Sequence, residues 1–442
     1  MTPDNHYQRK GIYAGLPTYP GDWKESLLRD LVDTNPETLG TGTPGHFTFR
    51  YIDLSSVSEG VTYWDTVLEQ TYRSAPSRAR RRVRQDDVLF GTVRPSLRSH
   101  TAIGPVDGSP LVASTGFAVL RAGAKSCPGF IKHLIFSESV ASQVRRLETG
   151  SNYPAVNESD LKEVLVPHPE DAEQARIAEV LDTLDLEIQK TEQVINKCMR
   201  LRQGLLQDCL TLGINENGEL RTSYLESFSS SPIGPIPSTW RARQVGSLLQ
   251  SIEQGWSPDC AAEPAEAGAW GALKTTAVVW DGYQDCENKA LPSHLRPRPE
   301  LEVRFGDVLM TRGGPNSRVG VVARVETTQG QLMLSDKIYR LVPTAEIRNA
   351  YLVLALSGAR TQRHLSRLKT GLAESQTNIS QAIVRALWIP LPPVEEQEMI
   401  VLRYSAISNR IQEDQGLLYR LKALRSGLAS DLLTGRVRTR PH

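Results

Sequence analysis

The sequence has few of the residues that mark metal-binding, disulfide-bonded or membrane proteins. Its 442 residues include five cysteines without a C-x-x-C pair, and its eight histidines do not cluster with cysteine or acidic residues at ligand spacing. We therefore expect reduced structural thiols and no bound metal. No apolar run approaches the roughly 18 residues that span a bilayer, and the opening MTPDNHYQRK lacks the apolar centre of a secretory signal. These absences favour a cytoplasmic protein.

Charge and motifs argue against a catalytic centre. The 51 basic and 50 acidic residues leave a net charge of +1, so any nucleic-acid surface must be local. The stretch GTGTPGH has P-loop-like glycines but lacks the Lys-Ser/Thr that contacts phosphate and magnesium. We find no G-x-G-x-x-G after a predicted strand, no H-E-x-x-H and no G-x-S-x-G. The cofactor-binding glycine motif and the Asn/Asp-Pro-Pro-aromatic loop expected of a DNA methyltransferase are also absent. We expect a non-catalytic chain without its own cofactor.

What the sequence does contain is an internal repeat that ends, in each half, in a long heptad helix. The two helices match at a constant offset, 400 − 177 = 223 residues. Their apolar positions alternate by four and three, which is the spacing of a coiled-coil seam. The seam residues are Ile177, Leu181, Leu184, Ile188, Ile195, Cys198, Leu205 and Cys209 in the first helix, and Ile400, Tyr404, Ile407, Ile411, Leu418, Leu421, Leu428 and Leu432 in the second. The seam positions that hold a polar residue also coincide: Thr191 matches Asp414, and Arg202 matches Arg425.

The repeat extends into the globular parts, so we predict two similar mixed α/β domains and an α+β class with a pseudo-twofold internal repeat. Asp87-Val88-Leu89 matches Asp307-Val308-Leu309, and Thr149-Gly150 matches Thr370-Gly371. The predicted segments are a first domain at 1–169, a helix at 170–213, a second domain at 214–392 that opens with a linker at 214–237, and a helix with a frayed basic tail at 393–442. Residues 131–147 and 350–368 each read as one helix. The stretch 59–84 has no counterpart around 283–304, which suggests two related sites with different targets.

Each heptad helix has about 40 residues and would be about 60 Å long, which is too long to stand without a partner. The shared register favours an antiparallel coiled coil formed by the two helices. The alternative is that each helix packs on its own domain.

The repeated motif Asp-Val-Leu, at 87–89 and 307–309, is called the landmark below. Basic residues flank it in both halves. Arginine binds phosphate bidentately and reads guanine in the major groove, so these clusters indicate DNA contact more strongly than a solvated basic surface. The candidate DNA-binding residues are Arg78, Arg80, Arg81, Arg82, Arg84, Arg94 and Arg98 in the first half, and Lys274, Arg296, Arg298, Arg304, Arg312 and Arg318 in the second.

Two polar loops, TGSNYPAVN at 149–157 and TGLAESQTN at 370–378, are further candidates. Side chains such as Asn152 could reach base edges or phosphates, or could cap the element that follows. Trp256 and Trp270 are interpreted as packing residues.

With these features the sequence resembles the specificity subunit of type I restriction–modification systems. The most specific feature is the phrase P-x-P-x-x-x-E-Q-x-x-I at the start of both helices, and FGDVLMTRGG and LLTGRV also resemble the family. The residues of the phrase are Pro167, Pro169, Glu173, Gln174 and Ile177, and then Pro390, Pro392, Glu396, Gln397 and Ile400. The first copy departs from the pattern only in having LTLGI where the second has LLTGRV.

The resemblance implies that each domain is a target-recognition domain that reads one half of a split, double-stranded DNA sequence, with the coiled coil fixing the gap. It implies two modification subunits that carry S-adenosylmethionine and methylate adenine, and restriction subunits that use ATP and Mg²⁺. The chain itself would only select the site. Two rival hypotheses are an endonuclease or methyltransferase with an unrecognised active site, and a coiled-coil adaptor that binds proteins.

Overall fold

The computed structural model describes residues 11–106, 108–150, 153–221, 228–260, 262–370 and 376–439. The chain forms two compact units, Met1–Gln193 with Gly416–His442, and Val194–Gln415. Each unit therefore contains one globular half and a part of each long helix. None of the described helices is long and apolar enough to cross a membrane.

The first half contains twelve described strands, four short or medium helices and the first long helix. The strands are β1 (Lys24–Leu27), β2 (Val32–Thr34), β3 (Thr48–Ile52), β4 (Val57–Ser58), β5 (Val61–Thr62), β6 (Glu69–Thr71), β7 (Ala79–Val83), β8 (Val88–Gly91), β9 (Thr101–Ala102), β10 (Leu111–Ser114), β11 (Phe117–Ala122) and β12 (Leu165–His168). The α-helices are α1 (Leu28–Leu31), α2 (Pro128–Ile135), α3 (Glu138–Leu147), α4 (Glu158–Lys162) and α5 (Asp171–Cys209). Single 3-10 turns lie at Gly11–Tyr13, Leu54–Ser56, Trp64–Thr66 and Pro95–Leu97.

The second half repeats this order. Its strands are β13 (Phe228–Ser229), β14 (Ile236–Pro237), β15 (Arg241–Gln244), β16 (Leu249–Gln254), β17 (Gly271–Leu273), β18 (Val278–Val279), β19 (Gly282–Tyr283), β20 (Asn288–Ala290), β21 (Val308–Thr311), β22 (Gly313–Gly314), β23 (Val322–Arg324), β24 (Leu332–Met333), β25 (Ile338–Pro343), β26 (Thr377–Asn378) and β27 (Trp388–Leu391). Its helices are α6 (Asn349–Ser357), α7 (Ala359–Leu368), α8 (Gln381–Ala386) and α9 (Val394–Thr434). Its 3-10 turns lie at Val245–Leu248, Thr275–Ala277, Pro299–Leu301 and Asn316–Arg318.

A four-stranded antiparallel sheet forms the centre of each half, with the same order and directions. In the first half the order is β2-β11-β8-β9, and in the second it is β16-β25-β21-β23. All four residues of β8 and of β21 are buried, as expected of strands that are covered on both faces. The Asp-Val-Leu landmarks open these two strands, so the prediction that both halves share one fold is confirmed.

A second sheet is where the halves diverge. Both copies contain a three-stranded core, β6-β3-β10 and β20-β17-β24, in which one neighbour is antiparallel and the other parallel. The first half adds the edge strand β7, which pairs with β10 and carries the arginine run. No matching fourth strand occurs in the described part of the second half. The predicted divergence of the stretch 59–84 therefore corresponds to an added edge strand.

The two predicted single helices each consist of two helices. Residues 131–147 are divided between α2 and α3, because the Ser137 hydroxyl accepts the Val140 amide at 3.3 Å and starts a new helix. Residues 350–368 are divided between α6 and α7 at Gly358, whose ψ of 138° is not helical. These predictions were wrong because the apolar periodicity continues across each break.

Two segments predicted to be loose are packed. In the predicted linker at 214–237, Ile214 and Ile236 are buried in the core of the second unit. In the tail predicted to be frayed, Arg438 binds two carboxylates of the first unit. Both contacts come from residues far apart in the chain, which local composition does not reveal.

The long helices have 39 and 41 residues and follow the heptad pattern. Every seam position predicted from the sequence is buried or half-buried. In the first unit, Ile177 and Leu181 share an apolar core with Leu432, and Arg425 Nε donates to Asp185 at 2.9 Å. In the second unit, Cys209 and Ile400 share a core that also contacts Leu205 and Tyr404. Within each unit, residues late in one helix thus meet residues early in the other.

Candidate nucleic-acid interface

The arginine run lies on β7 and its flanks. Arg82 and Arg84 face solvent with roughly half or more of their side chains, while Arg81 is largely covered. The Arg80 guanidinium stacks on the Tyr72 ring, 4.9 Å from its centroid. The outer side of β7 is covered by residues 37–39, because the Leu39 amide donates to the Arg80 carbonyl at 2.7 Å and the Arg82 amide donates to the Glu37 carbonyl at 3.1 Å. The basic surface therefore consists of side chains and not of a free strand edge.

Acidic residues from other parts of the first half neutralise much of this run. Arg78 pairs with Asp53 at 2.6 Å, and Arg81 lies 3.8 Å from Glu158. Glu37 faces both Arg84 at 2.6 Å and Arg82 at 3.7 Å. The run is therefore less positive than its sequence suggests, although ion pairs at the protein surface are individually weak.

A half-buried arginine pairs with the aspartate that precedes each landmark strand. Arg121 donates to both oxygens of Asp87 at 2.8 Å and to Glu37 at 2.7 Å. The hydrogen bond from Arg121 lowers the pKa of Glu37, and the hydrogen bond to Asp87 raises the pKa of Arg121. In the second half Asp307 also pairs with an arginine, Arg340, which faces Asp307 and Glu253 at 3.0 Å each. Arg340 lies two strand positions away from the register of Arg121. These arginines hold the sheet together and are not available to a ligand.

In the first half, the loop that follows β8 meets the predicted polar loop at 149–157. Val93 pairs with Ala155 in a β-bridge, and the Arg94 amide donates to the Pro154 carbonyl at 2.7 Å. The Arg94 guanidinium lies 4.5 Å from the centroid of Tyr153, whose side chain is 71% exposed. An arginine stacked on an exposed aromatic ring presents a flat cationic surface that suits phosphate or a base.

The backbone of this loop is strained at two arginines. Arg94 and Arg98 have φ values of 48° and 50°, in the left-handed region that side chains other than glycine rarely adopt. Such conformations cost about 1–3 kcal/mol each and cluster at functional sites. Arg98 also faces Glu138 at 3.4 Å. The candidate residue Asn152 lies outside the described residues.

The same two loops meet in the second half. Gly313 and Gly314 of β22 pair with Asn378 and Thr377 of β26. A side chain at Gly313 would lie 2.6 Å from the Asn378 amide oxygen, and Gly314 has a φ of 141°. The two glycines of TRGG are therefore required by this close approach and this turn.

Arg312 anchors this second loop pair. Its amide donates to the Lys337 carbonyl at 2.8 Å and its carbonyl accepts the Ile379 amide at 2.9 Å. Its guanidinium lies 5.5 Å from the ring centroid of Tyr339, and Nη1 donates to the Asp336 carbonyl at 3.2 Å. Arg312 is half-buried, so its role includes holding the loop, whereas the adjoining Lys337 is exposed.

The remaining candidates of the second half are more scattered. Arg298 is exposed and stacks on Trp256, 4.2 Å from the ring centroid, so Trp256 supports an arginine rather than packing in the core. Arg296 and Arg304 are exposed, whereas Lys274 is half-buried. Arg318 closes the 3-10 turn that matches the Pro95–Leu97 turn of the first half.

The recurrent Glu-Gln pair forms a latch that binds each domain to the start of its helix. Glu173 accepts hydrogen bonds from Trp23 Nε1 at 2.9 Å and from two nitrogens of Arg438 at 2.8 Å. Arg438 also donates to both carboxylate oxygens of Asp22. Burial raises the pKa of Glu173, but the hydrogen bonds from Arg438 and Trp23 outweigh it and lower the pKa overall. In the second unit the corresponding set is Glu396, Trp240 and Arg221. Sequence analysis missed Arg438 and Arg221, because they do not share the repeat offset.

The glutamine next to each latch glutamate acts as a cap. Gln174 Nε2 donates to the Pro169 carbonyl at 2.9 Å, and its Oε1 accepts the Cys127 amide at 2.9 Å. Gln397 does the same with Pro392 and Arg348 at 3.0 and 2.9 Å. Both glutamines are fully buried, so the phrase that carried the family resemblance has a structural role in each unit.

One group of ligand-type side chains occurs among the described residues. Single ligand atoms of His133, Asp182 and Asp185 lie within 4.8 Å of one another. Lys132 and Arg425 already bind the two carboxylates at 2.7 and 2.9 Å. Hydrogen bonding to His133, followed by Lys132, lowers the pKa of Asp182 to about 2. The group is therefore an ion-pair network joining α2, α5 and α9, and the absence of a metal site remains a prediction.

Comparison with known proteins identifies the family. The model described as "Type I restriction modification DNA specificity domain" matches residues 86–198 and 302–423, slightly more than half of the chain. The EcoEI specificity subunit of Escherichia coli is 43% identical over 168 residues, which cover 38% of this chain and 28% of that subunit. The EcoKI specificity subunit of E. coli strain K12 is 27% identical over 300 residues, which cover 64% of this chain and 59% of that subunit. The matches thus span less than two thirds of either relative.

A solved structure has the same fold. The S subunit of a type I restriction–modification system from M. genitalium aligns with 95% of this chain and 99% of its own, with a TM-score of 0.58 and 13% sequence identity. Both regions matched by the family model contain a landmark strand, a polar loop and the start of a long helix. The chain therefore belongs to the family of type I restriction–modification DNA specificity proteins, and it carries two copies of the family's domain.

Proposed function

We propose that this chain is the DNA-recognition subunit of a type I restriction–modification complex. The observation that carries the proposal is the duplicated loop pair, in which each half joins the loop after its landmark strand to its Thr-Gly loop. One copy presents Arg94 on Tyr153 and the other presents Lys337 beside Arg312. Because the two loop pairs differ in sequence, each would read a different half-site.

The arginine run on β7 would add phosphate contacts beside the first loop pair. The side chains of Arg78, Arg82 and Arg84 remain roughly half or more exposed despite their acidic partners. Phosphate contacts position a protein on DNA, and base contacts from the loops would specify the sequence.

The two long helices would form an antiparallel coiled coil that sets the distance between the half-sites. The burial of every seam position supports this, as do the ion pairs Arg425–Asp185 and Lys422–Glu192 in the first unit. Half-sites one helical turn apart, about 34 Å, lie on the same face of DNA. Helix length would therefore act as a ruler.

Catalysis would belong to partner subunits. We expect two modification subunits that carry S-adenosylmethionine and flip out the target adenine, together with restriction subunits that use ATP and Mg²⁺. Exposed apolar residues on the helices offer docking points, and they follow the repeat: Val194 matches Leu417, and Leu201 matches Leu424. Matching surfaces on the two helices suit two copies of one partner.

Binding of the chain, together with its modification subunit, to DNA carrying the methylated sequence tests the proposal. Arg94→Ala removes the guanidinium on Tyr153 and should weaken binding about tenfold, which corresponds to roughly 1.4 kcal/mol. Arg29→Ala is the matched control, because Arg29 is an equally exposed arginine that pairs with Glu163 in the same unit. Equal losses for both variants would mean that Arg94 contributes only general charge, and no binding to any DNA by the wild-type complex would refute the proposal.

A further inference from the structure

The first half contains a cavity beside its landmark strand. It measures about 280 Å³ and lies between the loop after β8 and helix α3. Its walls include Phe90, His100, Phe136, Val140 and Val144, and Arg98 lies at its rim. The cavity is thus directly beneath the strained loop that carries Arg94 and Arg98.

The second half shows how this fold closes the same space. By strand register Val322 stands in place of His100 and Gly320 in place of Arg98, and a Cβ atom at Gly320 would overlap the Leu365 side chain. Gln362 Nε2 donates to the Gly320 carbonyl at 3.0 Å, and Leu365 is fully buried. The smaller Ala141 and Val144 occupy the matching positions of the first half, so their helix does not fill the gap.

The rim is tied in both halves, which indicates a defined opening rather than a loose loop. Ser96 Oγ donates to Glu148 at 2.8 Å in the first half. In the second, Lys369 Nζ donates to the Asn316 carbonyl at 2.9 Å from the matching positions. The loop that borders the cavity is therefore held in place, even though the residues of α3 that line the cavity differ from those of the second half.

One buried polar group lines the cavity without a complete set of partners. His100 is 5% exposed, stacks on Phe90 with 4.1 Å between centroids, and lies 5.9 Å from the Phe136 ring. Its Nδ1 accepts the Gly91 amide at 3.0 Å, and burial lowers its pKa to about 4. The neutral ring therefore carries its proton on Nε2, and no residue in the described part of the chain accepts it.

We propose that this cavity is a binding site for a neutral bicyclic aromatic ligand with a hydrogen-bond acceptor on its edge. A cavity of about 150 Å³ holds benzene, so this volume suits two fused rings. Phe90, Phe136 and the aliphatic wall would contact the rings, and His100 Nε2 would donate to the acceptor. Ser96 and Arg98 line the same cavity, so an occupant would also hold the DNA-contacting loop in place; this last point rests on the proposed function.

Ligand-observed NMR and thermal melting of the full-length chain test the site, with quinoline as the probe. Indole is the matched control, because it is nearly the same size but offers a donor instead of an acceptor. We expect quinoline to bind roughly fivefold more tightly than indole, as one net hydrogen bond allows. The double variant Ala141→Gln/Val144→Leu places the second-half residues in the cavity and should abolish binding of both.

A second variant tests the site even if the double variant, whose larger side chains fill the cavity, does not fold. His100→Ala leaves the space open and should remove the preference for quinoline over indole. Absence of quinoline binding to the wild-type chain would overturn the proposal, as would undiminished binding to the folded double variant. Quinoline that binds without changing DNA affinity would overturn the coupling to the loop but not the site, so the two failures are distinguishable.

Discussion

Replacing Arg438 by alanine should release the first domain from the start of its helix. The guanidinium makes four hydrogen bonds of 2.7 to 2.8 Å, two to Glu173 and two to Asp22. The variant leaves Glu173, which is 6% exposed, with Trp23 Nε1 as its remaining donor among the described side chains. A buried carboxylate that has lost its cationic partner would destabilise this contact.

The magnitude follows from the burial of the two carboxylates. Removing one partner of a buried ion pair costs about 3–5 kcal/mol, and Arg438 is itself partly exposed, which favours the lower limit. The Asp22 pair is mostly exposed and contributes little. We expect a loss of about 3 kcal/mol in the local free energy of opening.

Hydrogen exchange followed by mass spectrometry is the appropriate assay, because a chain of two units need not unfold in one step. Amides in residues 171–181 should exchange roughly 100-fold faster in Arg438→Ala, whereas α7 should be unaffected. Arg436→Ala is the matched control, because Arg436 lies in the same tail but pairs with the nearby Asp431 at 2.8 Å. Adding Glu173→Gln should restore part of the loss, since it removes the unpaired charge.

The pH dependence provides a second check. The folded-state pKa of Glu173 is lowered, so the latch contributes stability above the unfolded pKa of about 4.3 and loses it as the pH falls through the folded value. The difference between wild type and Arg438→Ala should therefore be largest at neutral pH and shrink below about pH 4. Unchanged protection of residues 171–181 in the variant would refute the latch.

Three further predictions concern DNA and partners. Replacing Arg80, Arg81 and Arg82 with alanine should flatten the salt dependence of DNA binding by up to about one unit per lost phosphate contact; since Arg81 and Arg82 already face Glu158 and Glu37, an unaltered slope would show that the run does not touch phosphate. Deleting residues 191–197 together with 414–420 removes one heptad, about 10 Å, from both helices and should shorten the gap in the methylated sequence, whereas an unchanged gap would exclude the ruler. Leu417→Asp with Leu424→Asp should abolish co-purification of one modification subunit, and Arg410→Ala, an exposed change on the same helix, should not.

The repeat and the long helices could be predicted from the sequence because they depend on local periodicity. Ile177 and Ile400 begin seams whose every position is covered, and Val88 and Val308 open the matching central strands. The breaks at Ser137 and Gly358 were missed because apolar spacing persists through them. Capping by Ser137 depends on one hydroxyl, which periodicity does not register.

The candidate interface could be predicted only in outline. The sequence placed arginines near the landmark strands, but the acidic partners Glu37, Asp53 and Glu158 come from distant segments and reduce the charge they present. Tyr153 was not a candidate, because only the folded chain brings the Arg94 guanidinium onto its ring. The cavity beside His100 is lined by Ala141 and Val144 where the second half has Gln362 and Leu365, and its volume follows only from the folded chain.

The central claim is that this chain selects a split DNA sequence for its partners to methylate. Base-resolution mapping of adenine methylation, in cells that contain the modification subunit with and without this chain, tests it most directly. The account predicts one bipartite sequence with a fixed gap, methylated only when the chain is present. Methylation that does not depend on the chain, or no methylated sequence when both proteins are expressed and soluble, would contradict it.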